Sequence, residues 1–490
     1  MISCIKDVKT KQIWDVEAAI IVLGDLFSSY FSEDPTKAEN NSPTWMTEVL
    51  PLQKERRAVM DTGMRLKYHR LKKKISLEEL ASGILTPREL KKIETGLKDP
   101  ALKELEALCK KLAIPLAPKD NPIGKVLVKN FKNSLLHPQN KAKIMEQYAD
   151  IQDHPLLHAD EDVELEYSIQ QIRYFIITGD LDSAEEKIKE IDRFREFMNQ
   201  EQFYLFHKYN GNYNYILNDF EKALKTYLVA EKIAPNTISA SEIGDLYYSI
   251  GISSTKCRET EMAYKYSEMA LKIYQQEFVP KRIVECHLNI AISHQQFGNF
   301  RMSMEHYKNA LTIGNKLEID ILRFTTEFNL GYSYFLFQNY ELSIVHVENS
   351  LKYIHPEYTA DLLLSYCILI KCQYELKNFD AAKEWIHKVQ EIVENKKLNI
   401  HSPTNHVFKE AYIEFICLVH LLNEDFVKFE DYVLSQLIPS LEATDNYFES
   451  GYYFGHLGQI YYGQGRYKES AEIMNKARES YKNINILFRE

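Results

Sequence analysis

The chain has 490 residues, 45% of them apolar, with only 17 glycines and 15 prolines. That length holds two or more domains, and that composition excludes a disordered or fibrous chain. The formal charge of −10 is uneven: residues 54–119 carry seventeen Lys/Arg against nine Asp/Glu, a local +8 that leaves −18 on the rest, so any polyanion binding is confined to one end.

In chain order, residues 1–59 offer one apolar stretch, Ile13–Phe31, and then a polar run with Asn40, Asn41 and Pro43; they read as a poorly defined N-terminal extension. Met64 to Leu71 spells a basic amphipathic helix. Ser76 is placed to cap a second helix, with Glu79 three positions on as its capping-box partner, and Gly83 ends it. Thr86 caps a third helix that opens on Pro87, where a missing N–H costs nothing, and stops before Gly96. Pro100 and Leu102–Leu112 close the unit. Short helices with a tight glycine turn between the second and third predict a helix-turn-helix that binds DNA.

Residues 64–114 resemble the lambda-repressor-type (XRE) helix-turn-helix family. The likeness is carried by Ser76 to Ala81, Gly83 to Thr86, Leu90 to Gly96, Pro100, Leu105 and Leu108. It implies that the start of the third helix, including Thr86, enters the major groove, with Pro87, Arg88 and Lys92 toward the bases and Lys91 near the backbone. Arg88 has the planar fork that pairs with guanine. Lys67, Arg70, Lys72, Lys73 and Lys74 are then suited to phosphates, which position without specifying. Leu77 stands where the family usually has Gln, and Pro87 where it often has a polar reader.

Residues 119–163 read as a linker helix broken at His137-Pro138, with His154 and His158 too few to make a metal site. From 164 to 490 one pattern recurs. Gly211, Gly251, Ala291 and Gly331 fall forty apart; twelve positions after each come Ala223, Ala263, Ser303 and Ser343, and seven further on Ala230, Ala270, Ala310 and Ser350. Small residues at such fixed offsets let helix A of a pair approach its own helix B, and B approach the next A. Eight pairs are expected, at 164–198, 201–234, 240–276, 282–316, 322–354, 358–395, 406–437 and 446–483, the seventh degenerate. They look like tetratricopeptide (TPR) units lengthened to forty residues. The expected fold is all-α: a helix-turn-helix head at residues 60–118, the linker, and a right-handed TPR-like superhelix.

On the A helices, Asn289 and Asn329 stand forty apart, each two before the small residue. An amide carries donor and acceptor and can pair with the main chain of an extended peptide. Lys208, Asn212, Gln296, Tyr332 and Lys371 are also expected to face inward, a mixture suited to a short peptide with apolar side chains and a carboxylate. No phosphate loop, metal-ligand spacing or activated nucleophile stands out, so neither catalysis nor a cofactor is expected. The seven cysteines, odd in number and without paired spacing, read as reduced thiols of a cytoplasmic protein. The longest apolar run, Ala18–Leu23, is far shorter than the ~20 residues of a membrane span.

An XRE-type head followed by long TPR units resembles the RNPP family (Rap, Npr, Plc and Prg types) of peptide-pheromone receptors. The resemblance implies a homodimeric, quorum-sensing transcriptional regulator with a palindromic operator. It also implies that asparagines on successive A helices clamp a signalling peptide, with Arg173 as the helper arginine of the first repeat. Some relatives also dephosphorylate a response regulator through a Gln just before the first repeat; Glu161 stands there in this chain, which speaks against phosphatase activity. The alternative is a TPR interaction protein or Rap-like response-regulator inhibitor or phosphatase with a vestigial DNA-binding head.

Overall fold

The computed structural model describes residues 60–117, 121–136, 138, 140–355, 358–396, 406–443 and 446–486. The extension at residues 1–59 lies outside them. Among the described residues the chain is helical, without a strand, and falls into two units, 60–249 and 250–486. No described helix is long and apolar enough to cross a membrane.

In the first unit, α1 (Thr62–Lys72), α2 (Leu77–Ala81), α3 (Pro87–Glu94) and α4 (Leu102–Leu112) form the head. They close over Leu66, Leu80, Leu90, Ile93, Leu108 and Leu112. The region expected to be a linker, α5 (Pro122–Leu136) and α6 (Lys141–Ile151), packs on the first repeat. There Phe131 is 6.2 Å from Tyr167, and Tyr148 stacks 3.8 Å from Tyr174. The pair α7 (Glu161–Thr178) and α8 (Leu181–Asp192) and the pair α9 (Gln200–Ile216) and α10 (Phe220–Ile233) follow, and the unit ends within α11 (Ala240–Lys256).

The second unit continues with α12 (Thr260–Gln276), α13 (Pro280–Gln296), α14 (Phe300–Leu317), α15 (Asp320–Leu336) and α16 (Tyr340–Ser350). Then come α17 (Thr359–Glu375), α18 (Phe379–Lys396), α19 (His406–Leu422), α20 (Phe426–Tyr432), α21 (Ile438–Ala443), α22 (Tyr447–Gly463) and α23 (Tyr467–Ile486). These are the eight expected pairs. In the seventh, a π-helical turn at Val433–Leu437 separates α20 from α21. Pro439 stands two residues beyond that turn and leaves one N–H out of the helical ladder.

The small residues do what their spacing implies. A Cβ added at Gly211 would meet the Tyr227 ring at 2.5 Å, at Gly251 the Ser267 hydroxyl at 2.6 Å, at Gly331 Val347 at 2.5 Å and at Gly458 Met474 at 2.8 Å. Each partner lies sixteen positions on (227 − 211 and so forth), so these four A–B crossings share one register. The helix-B small residues Ala223, Ala230, Ala263, Ala270, Ser303, Ala310, Ser343 and Ser350 are all fully buried.

A second periodic device joins A to B. Each A helix ends on a residue in the left-handed region: Gly179, Asn218, Arg258, Gly298, Gln338, Lys377, Glu424 and Gly465, with φ between +56° and +84°. In the Schellman closure that results, Asp219 N donates to Asn214 O and Asn339 N to Tyr334 O. The next residue caps helix B, as Asp219, Asn299, Asn339 and Asp425 do through their side chains. In six of the eight pairs an aromatic then opens B, the exceptions being Leu181 and Thr260; it covers the end of A with ring separations of 5.3 Å for Tyr215–Phe220 and 5.7 Å for Tyr374–Phe379.

One buried group makes the second unit sensitive to pH. Asp361, in the first turn of α17, is 6% exposed, and its Oδ1 has no partner among the described residues. Burial pushes its carboxyl up to about 7. A carboxyl raised in the folded state contributes stability that is complete below its unfolded value and lost as pH rises through about 7. Asp361→Asn is therefore expected to stabilise the protein by about 2–4 kcal/mol at pH 8 and to change little near pH 4. Thermal unfolding at both pH values checks this; equal effects at the two would refute it.

Candidate functional site

The head is built to hold α3 outward. Gly63 lets α1 cross α3 at backbone contact, since a Cβ there would lie 2.0 Å from Ile93 O. Arg70 then fastens the crossing: its Nε and Nη2 donate to the two Glu94 oxygens at 2.6 and 2.8 Å, and its Nη1 donates to Ile75 O at 3.1 Å. Ser76 Oγ accepts from Glu79 N at 3.0 Å. At α3, Thr86 forms a full capping box with Glu89, whose carboxylate accepts back from Thr86 N at 3.0 Å. Pro87, Arg88, Lys91 and Lys92 are exposed on this helix. The three cations have no side-chain partner among the described residues.

The expected phosphate contacts of α1 are placed differently. Arg70 is buried in its pair with Glu94, and Lys73 donates to Leu112 O within the head. Lys67 pairs with Glu196 at 2.5 Å and Lys72 pairs with Glu164, both carboxylates of the first repeat. The basic run shows the sign of the charge but not its partner, and the partner is the acidic body. Sequence reasoning missed three more members of this contact. Arg65 and His69 both reach Glu161, at 2.5 and 2.7 Å, and Arg65 also donates to Pro115 O at 2.8 Å. Tyr68 lies between Phe194 and Phe197, 5.2 and 5.5 Å away. Burial and then Glu164 raise the Tyr68 hydroxyl far above its ordinary value. Burial alone would raise the Glu161 carboxyl, but His69 and Arg65 outweigh it and hold it at about 2. Glu161 thus serves as an anchor for α1.

The A helices of the first unit, α7 and α9, carry Arg173, Lys208 and Asn212. Lys208 differs from expectation: it is 1% exposed, with its ammonium 2.5 Å from Glu242 and 2.8 Å from Asp245 on α11. Asn212 Nδ2 donates to Tyr227 OH at 3.0 Å, while its Oδ1 is buried without a partner among the described residues. Arg173 is 4% exposed and makes no hydrogen bond or ion pair with a described residue. One turn before it, Gln170 is fully buried, its Oε1 without a partner among the described residues. Buried polar groups left open in this way are costly unless something fills them.

In the second unit the two repeating asparagines are not equivalent. Asn289 rivets three helices, accepting from Thr255 Oγ1 at 2.6 Å and donating to Ser267 Oγ at 2.6 Å. Both ends of its amide are used inside the wall. Asn329 donates to Thr325 O of its own helix at 2.8 Å. Gln296 accepts from Thr260 Oγ1 at 3.0 Å. Lys371, expected as a cation for the ligand, is 1% exposed between Glu414 at 2.8 Å and Glu449 at 2.9 Å. Tyr332 OH donates to Glu449 at 3.4 Å and Tyr453 OH to Glu414 at 3.0 Å, and Phe335 lies 4.8 Å below the ammonium. Successive A helices run close enough for a lysine to span them, so this cation joins α17 to α19 and α22.

Residues 66–118 match the helix-turn-helix family HTH_3. Over 418 residues, 83% of this chain and the whole of the relative, the sequence is 24% identical to the transcriptional activator NprA of Geobacillus stearothermophilus. Among solved structures, the apo form of the quorum sensor NprR from B. thuringiensis has a TM-score of 0.61 at 18% identity, covering 73% of this chain and 98% of NprR. NprR in complex with its cognate peptide NprX gives 0.55 at 17% identity, covering 76% of this chain and all of that one. Apo RapI gives 0.56 at 18% identity, covering 74% of this chain and 98% of RapI. By head and by body, the fold is similar to that of these proteins, a helix-turn-helix of the HTH_3 family followed by TPR-like helical repeats.

Proposed function

We propose that this protein is a cytoplasmic transcriptional regulator that binds DNA through α3 and is controlled by a short signalling peptide held on the inner helices of its repeats. The observation that carries the DNA reading is α3 itself: a fully capped helix with Arg88, Lys91 and Lys92 exposed and unpaired. On this reading Arg88 reads a base edge, Lys92 approaches the groove and Lys91 holds the backbone, with Thr86 fixing where the helix begins. A homodimer would set two such heads on the half-sites of a palindrome. On this reading the head at 60–118 binds DNA, 119–163 connects, and the repeats from 164 onward bind the peptide and dimerise.

The peptide reading is supported by the open polar groups of α7 and α9. Arg173, with no carboxylate of its own, suits a ligand carboxylate, and Gln170 and Asn212 offer unsatisfied oxygens to main-chain N–H groups. Asn329, Gln296 and Tyr332 are the candidates in the second unit, each of which would have to exchange a hydrogen bond within it for one to the peptide. Coupling to DNA requires that the peptide bind one conformation of the array better than another.

Gel shifts with genomic fragments at several salt concentrations test the DNA reading. Arg88→Ala is expected to weaken binding to preferred fragments by about 1–3 kcal/mol and to flatten sequence preference. Lys91→Ala should weaken all fragments alike and lower the salt slope by about one. A shift insensitive to salt and unchanged by both substitutions would sink the assignment of α3 to DNA.

A further inference from the structure

The reading helix is exposed, yet the head is not a module on a string. The face of α1 formed by Arg65, Tyr68, His69 and Lys72, at intervals of three and four, lies against the first repeat, and Lys67 reaches the turn after α8. Arg65 and Tyr68 are 5% and 4% exposed, as deeply buried as core residues. Arg88, Lys91 and Lys92 lie on another surface of the head and remain open. Docking therefore leaves the reading surface free while removing the head's freedom to rotate.

We propose that Glu161, Glu164 and Glu196 are positioning residues for DNA recognition: they lock the head on the first repeat, so that α3 meets DNA at one orientation set by the body. This rests on the DNA reading above. A carboxylate that takes both a guanidinium and an imidazole, as Glu161 does, fixes direction as well as distance. The Tyr68 ring between Phe194 and Phe197 excludes water beside it. Two heads held in this way accept only half-sites whose spacing fits, whereas loosely tethered heads tolerate many spacings.

The test uses the full chain and a pool of random-sequence DNA duplexes. Wild type should select paired half-sites at a single spacing. The Glu161→Gln/Glu164→Gln/Glu196→Gln variant should select the same half-site sequence over a spread of spacings, and bind the preferred paired site about tenfold more weakly with single half-site affinity unchanged. Exchanging charges with Lys67→Glu/Glu196→Lys should restore more of the spacing preference than Glu196→Lys alone, which a merely structural role would not. Hydrogen exchange without DNA should quicken in α1 and the start of α7, but not in α3. A variant that keeps the single spacing overturns the proposal. So does a wild type that selects lone half-sites, which would leave the DNA reading standing. Selection of no sequence at all removes both.

Discussion

Lys371→Met is expected to cost the second unit about 3–5 kcal/mol, among the largest effects of any single substitution outside the glycine crossings. The ammonium is 1% exposed and Glu449 is equally buried, so removing the cation leaves two carboxylates facing each other where water does not reach. Burial alone would depress the lysine's pKa, but Glu414 and Glu449 reverse this and keep it charged, while burial raises the Glu449 carboxyl. The damage comes from the unpaired acids. Lys371→Met combined with Glu414→Gln and Glu449→Gln should therefore recover much of the loss, since a buried ion cluster is worth little against a neutral replacement. Urea unfolding of the single and triple variants decides the matter. A single variant within about 1 kcal/mol of wild type would mean that the node does not hold its helices together.

Gly63→Ala should act as strongly on the head, where the clash itself falls. Its Cβ would stand 2.0 Å from Ile93 O and 3.0 Å from Ile93 C, main-chain atoms of the helix that reads DNA. Backbone cannot swing aside as a side-chain tip can, so α1 and α3 must part and the Arg70–Glu94 pair must open with them. A cost of about 3 kcal/mol or more falls on a core of eight residues. The expected result is loss of DNA binding with the repeats still folded, seen as an early, separate thermal transition. Undiminished DNA affinity would show that the two helices can separate without harm.

The repeat was legible because its crossings demand a residue type. Only a small side chain fits where Gly211 meets Tyr227 or Gly331 meets Val347, and that demand writes the period into the sequence. The caps at Ser76 and Thr86 were legible for the same reason. The left-handed turns were not, because Arg258, Gln338, Lys377 and Glu424 occupy a conformation their residue types do not announce. Charge was legible only as sign. Lys67 and Lys72 read as phosphate ligands, but the acids that take them lie 129 and 92 positions further along (196 − 67 and 164 − 72). Lys208 and Lys371 read as open cations for the same reason. Asn289 and Asn329 share a register, yet only Asn289 has a hydroxyl on each side.

The constant sixteen-residue step from Gly211, Gly251, Gly331 and Gly458 to their partners limits how such a chain can change length. One residue inserted inside that step would turn the small side chain away from its crossing and drive a bulky neighbour into it. The segment from B to the next A carries no such constraint: the left-handed residues fall forty apart through the middle repeats, but forty-seven apart between Lys377 and Glu424. Insertions and deletions are therefore tolerated at the handover between hairpins, and natural variants of this chain should differ in length there while each hairpin keeps its span.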